Sequence, residues 1–358
     1  MEHSAAMTEA NYSNYAAILH GPNDVRIEKW PMPEINDNEV LIKMECVGVC
    51  GSDVKMWSTG KCGWDVLTEP IVIGHEGAGV VTKVGANVRD LHVGNRVAIE
   101  PTQPCRACTF CRTGRYNLCP EPRYCSSLGA DGNLATYYKH LPDYCHKMPS
   151  NLTMEEGAAV QPLAIAIHAC NRAGIRLGQR VAIFGSGPVG LLCAMAARAM
   201  GASKILMTDV IPKRLEVAKA LAADHTLLVK NSFSDQQTAD KIEELLGGRP
   251  DVSIDACAFP SATRAAMLVT ASGGVVLIVG IGGASVEVPL SNTMLREVDI
   301  RGSYRIANTY PAAISAVSSG AIDLKRFITH HVPLADTQRA LQLAQSGEGM
   351  KVIVHVQK

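Results

Sequence analysis

The ten residues VAIFGSGPVG, 181–190, decide the fold of this 358-residue chain. Four apolar residues run directly into a glycine-rich turn, and a segment rich in Ala, Leu and Met follows. Each glycine has a physical role: Gly185 allows a tight turn, Gly187 lets the backbone approach a pyrophosphate, and Gly190 lets a helix pack closely against a strand. The pattern predicts a strand, a phosphate-binding turn, and a helix whose N-terminal N–H groups and dipole favour phosphate.

An acidic residue about twenty positions further along completes this pattern. Asp209 ends a second apolar run, where a carboxylate accepts hydrogen bonds from both ribose hydroxyls and repels a 2′-phosphate. Asp209 therefore favours NAD over NADP, with a helix N-cap before Pro212 as the alternative. Arg214 either flanks the adenine or is simply solvated. Gly280 and Gly282 are candidates for close approach to the nicotinamide half, or ordinary turn residues.

Strands and helices alternate from about residue 158 onward, whereas the earlier part of the chain holds short β-like runs between Gly and Pro turns. The alternation implies right-handed βαβ crossovers and a parallel, doubly wound sheet, and the earlier part predicts an irregular, mostly antiparallel β domain. The class is therefore α/β. A late helix at 311–319 and a final strand at 351–356 could return to the first domain. The alternating part has predicted strands at 180–184, 204–208, 252–256 and 275–279 and predicted helices at 188–200 and 213–222.

Charge and composition limit the classes of partner. Lys+Arg and Asp+Glu both number 34, so the formal net charge is zero, which argues against a nucleic-acid or membrane-surface partner. No apolar run approaches the ~20 residues of a membrane span. Residues 1–14 lack the features of a secretory or transit signal, so they are predicted to be a flexible tail of a cytoplasmic protein. Twelve cysteines in such a protein indicate metal binding before disulfides.

Four of these cysteines, Cys105, Cys108, Cys111 and Cys119, fall within one short segment that is rich in Pro and Gly. Four thiolates satisfy a tetrahedral zinc and close the site to water, as structural zinc requires. Disulfides and an iron–sulfur cluster are the alternatives, although nothing else in the chain indicates one-electron chemistry.

A second group of metal ligands stands among glycines. Cys50 lies in GVCGSD, 48–53, and His75 and Glu76 lie in GHEGAG, 74–79. Three protein ligands and an open fourth position are what a catalytic zinc needs. Taken separately, Cys50 is also typical of a small buried residue and His75 of a core histidine. The flanking glycines favour zinc, because they would leave room for a cofactor and a substrate.

Together these motifs resemble the zinc-containing medium-chain dehydrogenases, and within them the sorbitol dehydrogenase-like polyol branch (ketose reductase). The resemblance extends from about Ala16 to Val356. It is carried by the collinear segments GVCGSDV, IVIGHEGAG, GNRVAIEP, CRACTFCRTGRYNLC, QPLAIAIHAC, GSGPVG and SYRIANTYP.

The resemblance implies a GroES-like β catalytic domain formed by residues 15–160 and 302–358, with a Rossmann NAD-binding domain, 161–301, inserted between them. It implies a homotetramer, two zinc ions per chain, and hydride transfer between NAD and a polyol or secondary alcohol. Zinc would lower the pKa of the substrate hydroxyl, and Ser52 would pass its proton outward. By resemblance, the catalytic zinc is held by Cys50, His75 and Glu76, the structural zinc by Cys105, Cys108, Cys111 and Cys119, and NAD by Val189, Asp209, Arg214, Val279, Ile281, Tyr304 and Arg305.

Three departures from the family pattern surround the expected substrate pocket. The family usually has Glu-Pro where this chain has Gln161-Pro162, His-Tyr where it has Lys55-Met56, and Arg-Tyr where it has Arg305-Ile306. Met56, Gln161, Arg305 and Ile306 are thus the expected substrate-binding positions. The loss of hydroxyl partners predicts that sorbitol is a poor substrate and that a less polar secondary alcohol or a modified polyol is a better one. A zinc- and dinucleotide-binding protein with little turnover is the alternative.

Overall fold

The computed structural model describes residues 13–63, 65–283 and 285–357. The tail expected at residues 1–14 lies outside this range except for its last two residues, and Asn14 begins the first strand. The described strands, in chain order, are β1 (Asn14–Gly21), β2 (Asp24–Trp30), β3 (Val40–Gly48), β4 (Lys61–Cys62), β5 (Asp65–Val66), β6 (Ile71–Val72), β7 (Glu76–Val84), β8 (Arg96–Ile99), β9 (Thr102–Gln103), β10 (Arg123–Tyr124), β11 (Tyr137–His140), β12 (Cys145–Lys147), β13 (Arg180–Phe184), β14 (Lys204–Asp209), β15 (His225–Leu228), β16 (Val252–Asp255), β17 (Val275–Ile278), β18 (Asp299–Gly302), β19 (His330–Pro333) and β20 (Val352–His355).

Ten α-helices and three short 3-10 helices are seen in the described ranges. None of these helices is long and apolar enough to cross a bilayer. The α-helices are α1 (Gly51–Thr59), α2 (Thr109–Arg112), α3 (Met154–Ala173), α4 (Pro188–Ala199), α5 (Pro212–Leu221), α6 (Asp235–Leu246), α7 (Pro260–Val269), α8 (Leu290–Met294), α9 (Tyr310–Ser318) and α10 (Thr337–Ser346), and the 3-10 helices span Tyr116–Leu118, Pro142–Tyr144 and Leu334–Asp336.

The chain divides into two compact units. The first contains residues up to Gln103, 123–148, and those from His331 onward, and the second contains 104–122 and 149–330. These boundaries differ from the expected ones, 15–160, 161–301 and 302–358, in two respects. The second unit starts earlier and ends later, because α3 and α9 pack against each other within it. It also includes the four-cysteine segment, which hydrogen-bonds to residues 304–308.

The first unit is built on antiparallel strands, as the Gly- and Pro-rich sequence predicts. Its main sheet has the order β12-β8-β7-β3-β20-β19, and β11 pairs with the other part of β3. Alternate residues of β3 are buried, which is the period-2 pattern of a strand with one face on a core. That core includes Ile42, Met44, Trp57, Val81 and Val354. The final strand returns to the first unit, because β20 pairs antiparallel with β3, whereas the helix expected at 311–319, α9, lies in the second unit.

The second unit contains a six-stranded sheet in the order β15-β14-β13-β16-β17-β18, with every adjacent pair parallel. This is the doubly wound order, and its switch point lies between β13 and β16. The apolar strands lie between two layers of helices, and Ala182, Leu206 and Val276 belong to the buried cluster. The predicted α/β class and parallel sheet are therefore confirmed.

Several elements of the second unit were not predicted, namely α3, α6, α7, β15 and β18. The 20-residue helix α3 is the largest of them, and its Thr153 N-cap accepts a hydrogen bond from the Glu156 N–H. Fourteen of its residues are buried. A helix that is apolar on nearly every side lacks the 3.6-residue hydrophobic period, so the sequence indicates only an apolar run there.

Candidate active site and metal centres

The first candidate site lies in the antiparallel unit, where the ligand atoms of Cys50, His75 and Glu76 all lie within 4.8 Å of one another. Strand pairing explains this. β3 and β7 pair in a register that places Gly48 opposite Glu76, and Cys50 follows two residues after Gly48. Thiolate, imidazole and carboxylate at such separations fit a zinc with one position left open. The predicted catalytic set is thus brought together.

Gly48 has a steric role in this site. A Cβ atom there would lie 2.1 Å from the Glu76 Oε2 atom, so any larger residue would displace the carboxylate. The flanking glycines are expected to leave room for a cofactor and a substrate. At residue 48, the space is instead occupied by the Glu76 carboxylate.

Asp53 orients two of these ligands, and sequence reasoning missed it. Its carboxylate accepts a hydrogen bond from the Cys50 backbone N–H at 3.1 Å, and its Oδ1 atom lies 3.3 Å from the His75 Nδ1 atom. A carboxylate on one ring nitrogen leaves the other nitrogen for metal. Burial alone would lower the pKa of His75, but Asp53 and Cys50 raise it well above its usual range. The pattern Cys50-x-x-Asp53 at a helix start was the available signal, because an acid at the third helical position commonly caps the chain.

Lys351 is the second residue that sequence reasoning missed. Its ammonium group donates to the Glu76 Oε2 atom at 2.6 Å and to the Val49 carbonyl at 3.1 Å. Both partners are almost fully buried, with Lys351 3% exposed and Glu76 1% exposed. Lys351 directly precedes β20, so β7 and β20, on either side of β3, supply a metal ligand and its countercharge. A lysine some 300 residues from Cys50 carries no local signal of this role.

The aromatic ring of Tyr124 lies against His75, with ring centroids 5.7 Å apart and planes at 50°. Its neighbour Cys125 contacts the Tyr138 hydroxyl at 2.8 Å, and Tyr138 in turn lies 3.3 Å from the His140 ring. This buried polar chain holds the short strand β10 in place. Tyr124 therefore limits the orientations available to the His75 imidazole.

The remaining expected residues of this unit lie on α1. Ser52 is in the first turn and is partly exposed, consistent with a hydroxyl beside the ligand Cys50. Lys55 is exposed. Met56 is 7% exposed and belongs to the hydrophobic core of the unit, so most of its surface packs against apolar side chains.

The second candidate site is the crevice at the carboxyl ends of the parallel strands. Gly185 has φ +98°, and a Cβ atom at Gly190 would lie 1.9 Å from the Gly185 carbonyl oxygen. Gly187 is the N-cap of α4, and a Cβ atom there would meet nothing within 4 Å. This unfilled cradle at a helix N-terminus fits a pyrophosphate. The tight turn at Gly185 and the close packing at Gly190 are seen as predicted, and the approach of a pyrophosphate to Gly187 stays a prediction.

Asp209 holds the glycine-rich turn. One carboxylate oxygen accepts the Ser186 N–H at 2.8 Å, and the other accepts the Ile211 N–H at 2.9 Å. The alternative role as a helix N-cap is not seen, because Ile211 is the N-cap of α5. The Arg214 guanidinium lies 3.9 Å from the same carboxylate. Asp209 therefore ties the glycine-rich turn to the second strand, while its expected role toward a ribose stays a prediction.

Gly280 and Gly282 pack against the backbone of the turn after β16. Cβ atoms at these positions would lie 2.7 Å from the Ala258 nitrogen and 2.5 Å from its oxygen. Ala258 itself has φ +52° and donates its N–H to the Asp255 carboxylate at 2.7 Å. Asp255, which is fully buried, also accepts from the Thr263 hydroxyl at 2.6 Å. Asp255 thus shapes this part of the crevice, and sequence reasoning missed it.

The other expected coenzyme residues lie on loops of the same unit. Val189 lies in the first turn of α4, while Val279 and Ile281 follow β17 and are partly or largely exposed. Tyr304 and Arg305 follow β18, with the Arg305 guanidinium 4.9 Å from the centre of the Tyr304 ring. Ile306 is fully buried, and Gln161 in α3 is 1% exposed.

The third candidate site is the four-cysteine segment. The sulfur atoms of Cys105, Cys108, Cys111 and Cys119 all lie within 4.8 Å of one another, with 3.4 Å between Cys108 and Cys111 and 3.9 Å between Cys105 and Cys111. A tetrahedron with zinc–sulfur bonds of ~2.3 Å has edges of about 3.8 Å, so this set fits zinc. Backbone N–H groups of Cys108 and Ala107 lower the pKa of the Cys105 thiol to about 7, which favours the thiolate ligand.

Two segments of the chain match known protein families. Residues 36–150 match the alcohol dehydrogenase GroES-like domain, and residues 188–319 match the zinc-binding dehydrogenase domain. The chain belongs to the zinc-binding alcohol dehydrogenase family. The family, the fold class and the enzymatic nature predicted from the sequence are thereby confirmed, and zinc and NAD are the cofactors of this dehydrogenase.

Three similar proteins illustrate the relationship. The dehydrogenase is 65% identical to a sorbitol dehydrogenase of Bombyx mori, covering 96% of this chain and 99% of that protein. It is 44% identical to a sorbitol dehydrogenase of Bos taurus, covering 97% and 98%. The L-idonate 5-dehydrogenase structure from Escherichia coli has a TM-score of 0.88 at 30% identity, covering 96% and 99%. The alternative of a binding protein with little turnover finds no support in these comparisons.

The buried ion pair between Lys351 and Glu76 predicts that the stability of a Lys351 variant depends on zinc more strongly than that of the wild type. Lys351→Met leaves the buried Glu76 carboxylate without its ammonium partner, and such a loss costs about 3–5 kcal/mol. The free energy of unfolding of the metal-free Lys351→Met variant should therefore be lower than that of the metal-free wild type by about 3–5 kcal/mol. Zinc should then raise the Tm of the variant more than that of the wild type, because the metal supplies the missing positive charge. Differential scanning fluorimetry with and without zinc measures both quantities.

The double variant Glu76→Gln/Lys351→Met is the matched control. It removes both charges, so the metal-free protein should regain part of the lost stability. Equal zinc-induced shifts in the wild type and in Lys351→Met would show that Lys351 does not balance Glu76.

The carboxylate of Asp209 is expected to determine the preference for NAD over NADP. Asp209→Ala removes a charged acceptor from two N–H groups, and hydrogen bonds to charged groups contribute about 1.5–3 kcal/mol. The kcat/KM for NAD should therefore fall about tenfold or more, and the NAD:NADP preference should narrow. Asp209→Asn keeps a hydrogen-bond acceptor but removes the charge that repels a 2′-phosphate. It should therefore narrow the preference for NAD over NADP, with a smaller decrease in kcat/KM for NAD than in Asp209→Ala. Initial rates with both coenzymes measure this, and an NADP preference of the wild type would contradict it.

Proposed function

We propose that this dehydrogenase oxidises a polyol or a related secondary alcohol with NAD, and that it reduces the corresponding ketose in the reverse direction. The observation that carries the proposal is the buried set Cys50, His75 and Glu76, with its ligand atoms within 4.8 Å of one another. The similarity to proteins named sorbitol dehydrogenase supports the substrate class.

The chain's own residues prepare the reaction. Zinc held by Cys50, His75 and Glu76 supplies a Lewis acid that lowers the pKa of a substrate hydroxyl. Asp53 keeps the His75 ring in one orientation, and Lys351 keeps Glu76 in place. Ser52, beside Cys50, is proposed to take the hydroxyl proton and pass it outward. Bound NAD would supply the acceptor for the hydride, so the task of the protein is to orient the two reactants.

The glycine-rich turn, Asp209 and the loops of the second unit are proposed to orient NAD. Tyr304 and Arg305 are proposed to contact NAD, and Arg305 also to contact the substrate, as the family resemblance implies. The other proposed coenzyme contacts are Val189, Arg214, Val279, Gly280 and Ile281.

Charge around the catalytic zinc supports a neutral site. The Cys50 thiolate and the Glu76 carboxylate balance the two metal charges. Two residues not considered in the sequence analysis, Lys351 and Asp53, add one positive and one negative charge, which cancel. With Gln161 in place of the family glutamate, no further negative charge is added. A neutral surrounding should favour ionisation of a hydroxyl at the metal.

Substrate preference is proposed to depend on Gln161 and Ile306. Both differ from the polyol-reading family pattern, and Ile306 replaces a phenol hydroxyl with an apolar side chain. Met56 packs in the core of the first unit at 7% exposure, and Gln161 and Ile306 are buried as well. Each substrate hydroxyl left without a partner costs about 1–3 kcal/mol. We therefore propose a preference for less hydroxylated alcohols over sorbitol.

The test compares kcat/KM for sorbitol, xylitol and simple secondary alcohols. Gln161→Glu and Ile306→Tyr together should shift the preference toward sorbitol by about tenfold or more, given one or two recovered hydrogen bonds. Ile306→Phe is the matched control, because it adds the ring without the hydroxyl. The substrate proposal fails if the wild type already oxidises sorbitol as efficiently as the double variant. The enzymatic proposal fails if the wild type reduces NAD with none of the alcohols.

A cytoplasmic homotetramer is proposed as the assembled form. Twelve free cysteines, four of them clustered as thiolate ligands, suit a reducing compartment. β18 is the outermost strand of the parallel sheet, and an exposed strand edge pairs readily with another chain. Large apolar side chains near it are exposed, including Met294 (65%), Leu295 (79%) and Ile300 (43%). A two-fold pairing of identical edges would cover this surface.

Light scattering on purified protein tests the assembly. The wild type should have the mass of four chains, and Leu295→Asp/Ile300→Lys should form smaller species, because charges placed on the edge oppose pairing. The exposed Leu177, in the second unit but far from β18 along the chain, provides a control as Leu177→Asp. A monomeric wild type would refute the proposal.

A further inference from the structure

The loop after β18 has an unusual backbone. Arg305 has φ +55° and Asn308 has φ +58°, so two residues other than glycine adopt the left-handed region within four positions. Such residues are uncommon and cost roughly 1–3 kcal/mol each when held there. They persist only where the surrounding structure holds the chain, here the loop of residues 303–309.

Three hydrogen bonds reach this loop from the four-cysteine segment. The Asn117 side chain donates to the Tyr304 carbonyl at 2.8 Å. The Asn308 N–H donates to the Tyr116 hydroxyl at 2.7 Å, and the Asn308 side chain donates to the Gly114 carbonyl at 2.7 Å. All three partners lie between the third and fourth cysteines. The bonded residues of the loop, Tyr304 and Asn308, lie before and after Arg305 along the chain.

The opposite side of the loop is held by α3. The Thr309 hydroxyl donates to the Ala164 carbonyl at 2.8 Å, and the Arg172 side chain donates to the Gly302 carbonyl at 3.2 Å. The loop is therefore clamped between a regular helix and the four-cysteine segment.

The four-cysteine segment owes its own shape to its ligands. The 3-10 helix Tyr116–Leu118 ends at Cys119, whose N–H bonds to the Tyr116 carbonyl at 3.0 Å. The Cys119 sulfur in turn accepts the Cys105 N–H at 3.4 Å. Tyr116 and Asn117 are thus anchored to the metal-ligand set through Cys119. Apart from this anchor, the segment contains only the four-residue helix α2, so the ligands determine where its side chains lie.

We propose that the four-cysteine segment positions the Arg305 loop for coenzyme and substrate binding, with Asn117 and Tyr116 as the positioning residues. The segment then links the structural metal to coenzyme affinity, beyond its contribution to folding. This inference rests on the proposed function only in assigning Tyr304 and Arg305 to NAD and substrate. The hydrogen bonds that carry it are independent of that assignment.

The experiment uses the full-length zinc-loaded protein and the variants Asn117→Ala, Tyr116→Phe and their combination. A neutral hydrogen bond contributes about 0.5–1.5 kcal/mol, which corresponds to roughly 2- to 12-fold in an equilibrium. Amide hydrogen exchange in residues 302–309 should therefore accelerate by about that factor per bond. The Kd for NADH, from fluorescence titration, should rise by about 3- to 30-fold in the double variant. Zinc content should remain that of the wild type.

Thr113→Ala is the matched control within the same segment. Thr113 is exposed, and its hydroxyl bonds to the Thr109 and Phe110 carbonyls inside the segment. Exchange in residues 302–309 and NADH affinity should match the wild type. Asn308→Gly adds a test from the loop side, because it removes the bond to Gly114 while tolerating the left-handed backbone. Asn308→Gly should also accelerate amide exchange in residues 302–309 and raise the Kd for NADH. Because Asn308 lies outside the four-cysteine segment, this test holds even if the segment variants lose zinc.

Two results would overturn the inference. One is unchanged exchange in residues 302–309 in the double variant and in Asn308→Gly. The other is faster exchange with unchanged NADH affinity, since the loop would then be held for a reason other than coenzyme binding. A wild type that binds NADH but oxidises no alcohol would refute the proposed function alone, because the exchange and affinity measurements would still stand.

Discussion

The pairing of β3 with strands on both sides is the constraint on which the catalytic unit depends. β7 brings His75 and Glu76 to one side of β3, and β20 brings Lys351 to the other. A buried carboxylate without a nearby cation is costly, and the returning chain end places the Lys351 ammonium against Glu76. Gly48 leaves the space in which this pair meets. The metal site therefore requires a strand from the end of the chain.

The coenzyme unit depends on carboxylates that hold turns. Asp209 ties the glycine-rich turn to the second strand, and Asp255 performs the corresponding task for the turn after β16. Both lie at carboxyl ends of parallel strands, where dinucleotides bind in doubly wound sheets. Each carboxylate fixes backbone N–H groups, so the crevice is shaped before a ligand arrives. Such preorganisation reduces the entropy lost on binding.

The four-cysteine segment connects folding with function. On our proposal, zinc held by the four cysteines would provide rigidity that the short helices alone would not supply, and the hydrogen bonds of Tyr116 and Asn117 would extend that rigidity to the loop at Arg305. A compact metal site can thus serve as a support for a loop that is distant in sequence. This explains why the segment clusters with the parallel-sheet unit, although it interrupts the antiparallel one along the chain.

The sequence by itself determined the features that depend on local pattern: the glycine-rich turn, Asp209, the four-cysteine set, the parallel sheet and the ligand types Cys50, His75 and Glu76. Each is encoded within a short window, because turns, metal knuckles and strand–helix alternation are local. Only the tertiary structure decided the partners of these residues. Asp53 beside His75, the packing of Met56 in the core and the Asn117 bond to the Arg305 loop depend on strand register and chain return. Lys351 is the clearest case, since a countercharge about 275 residues from its carboxylate acquires its role only when β3 pairs on both sides.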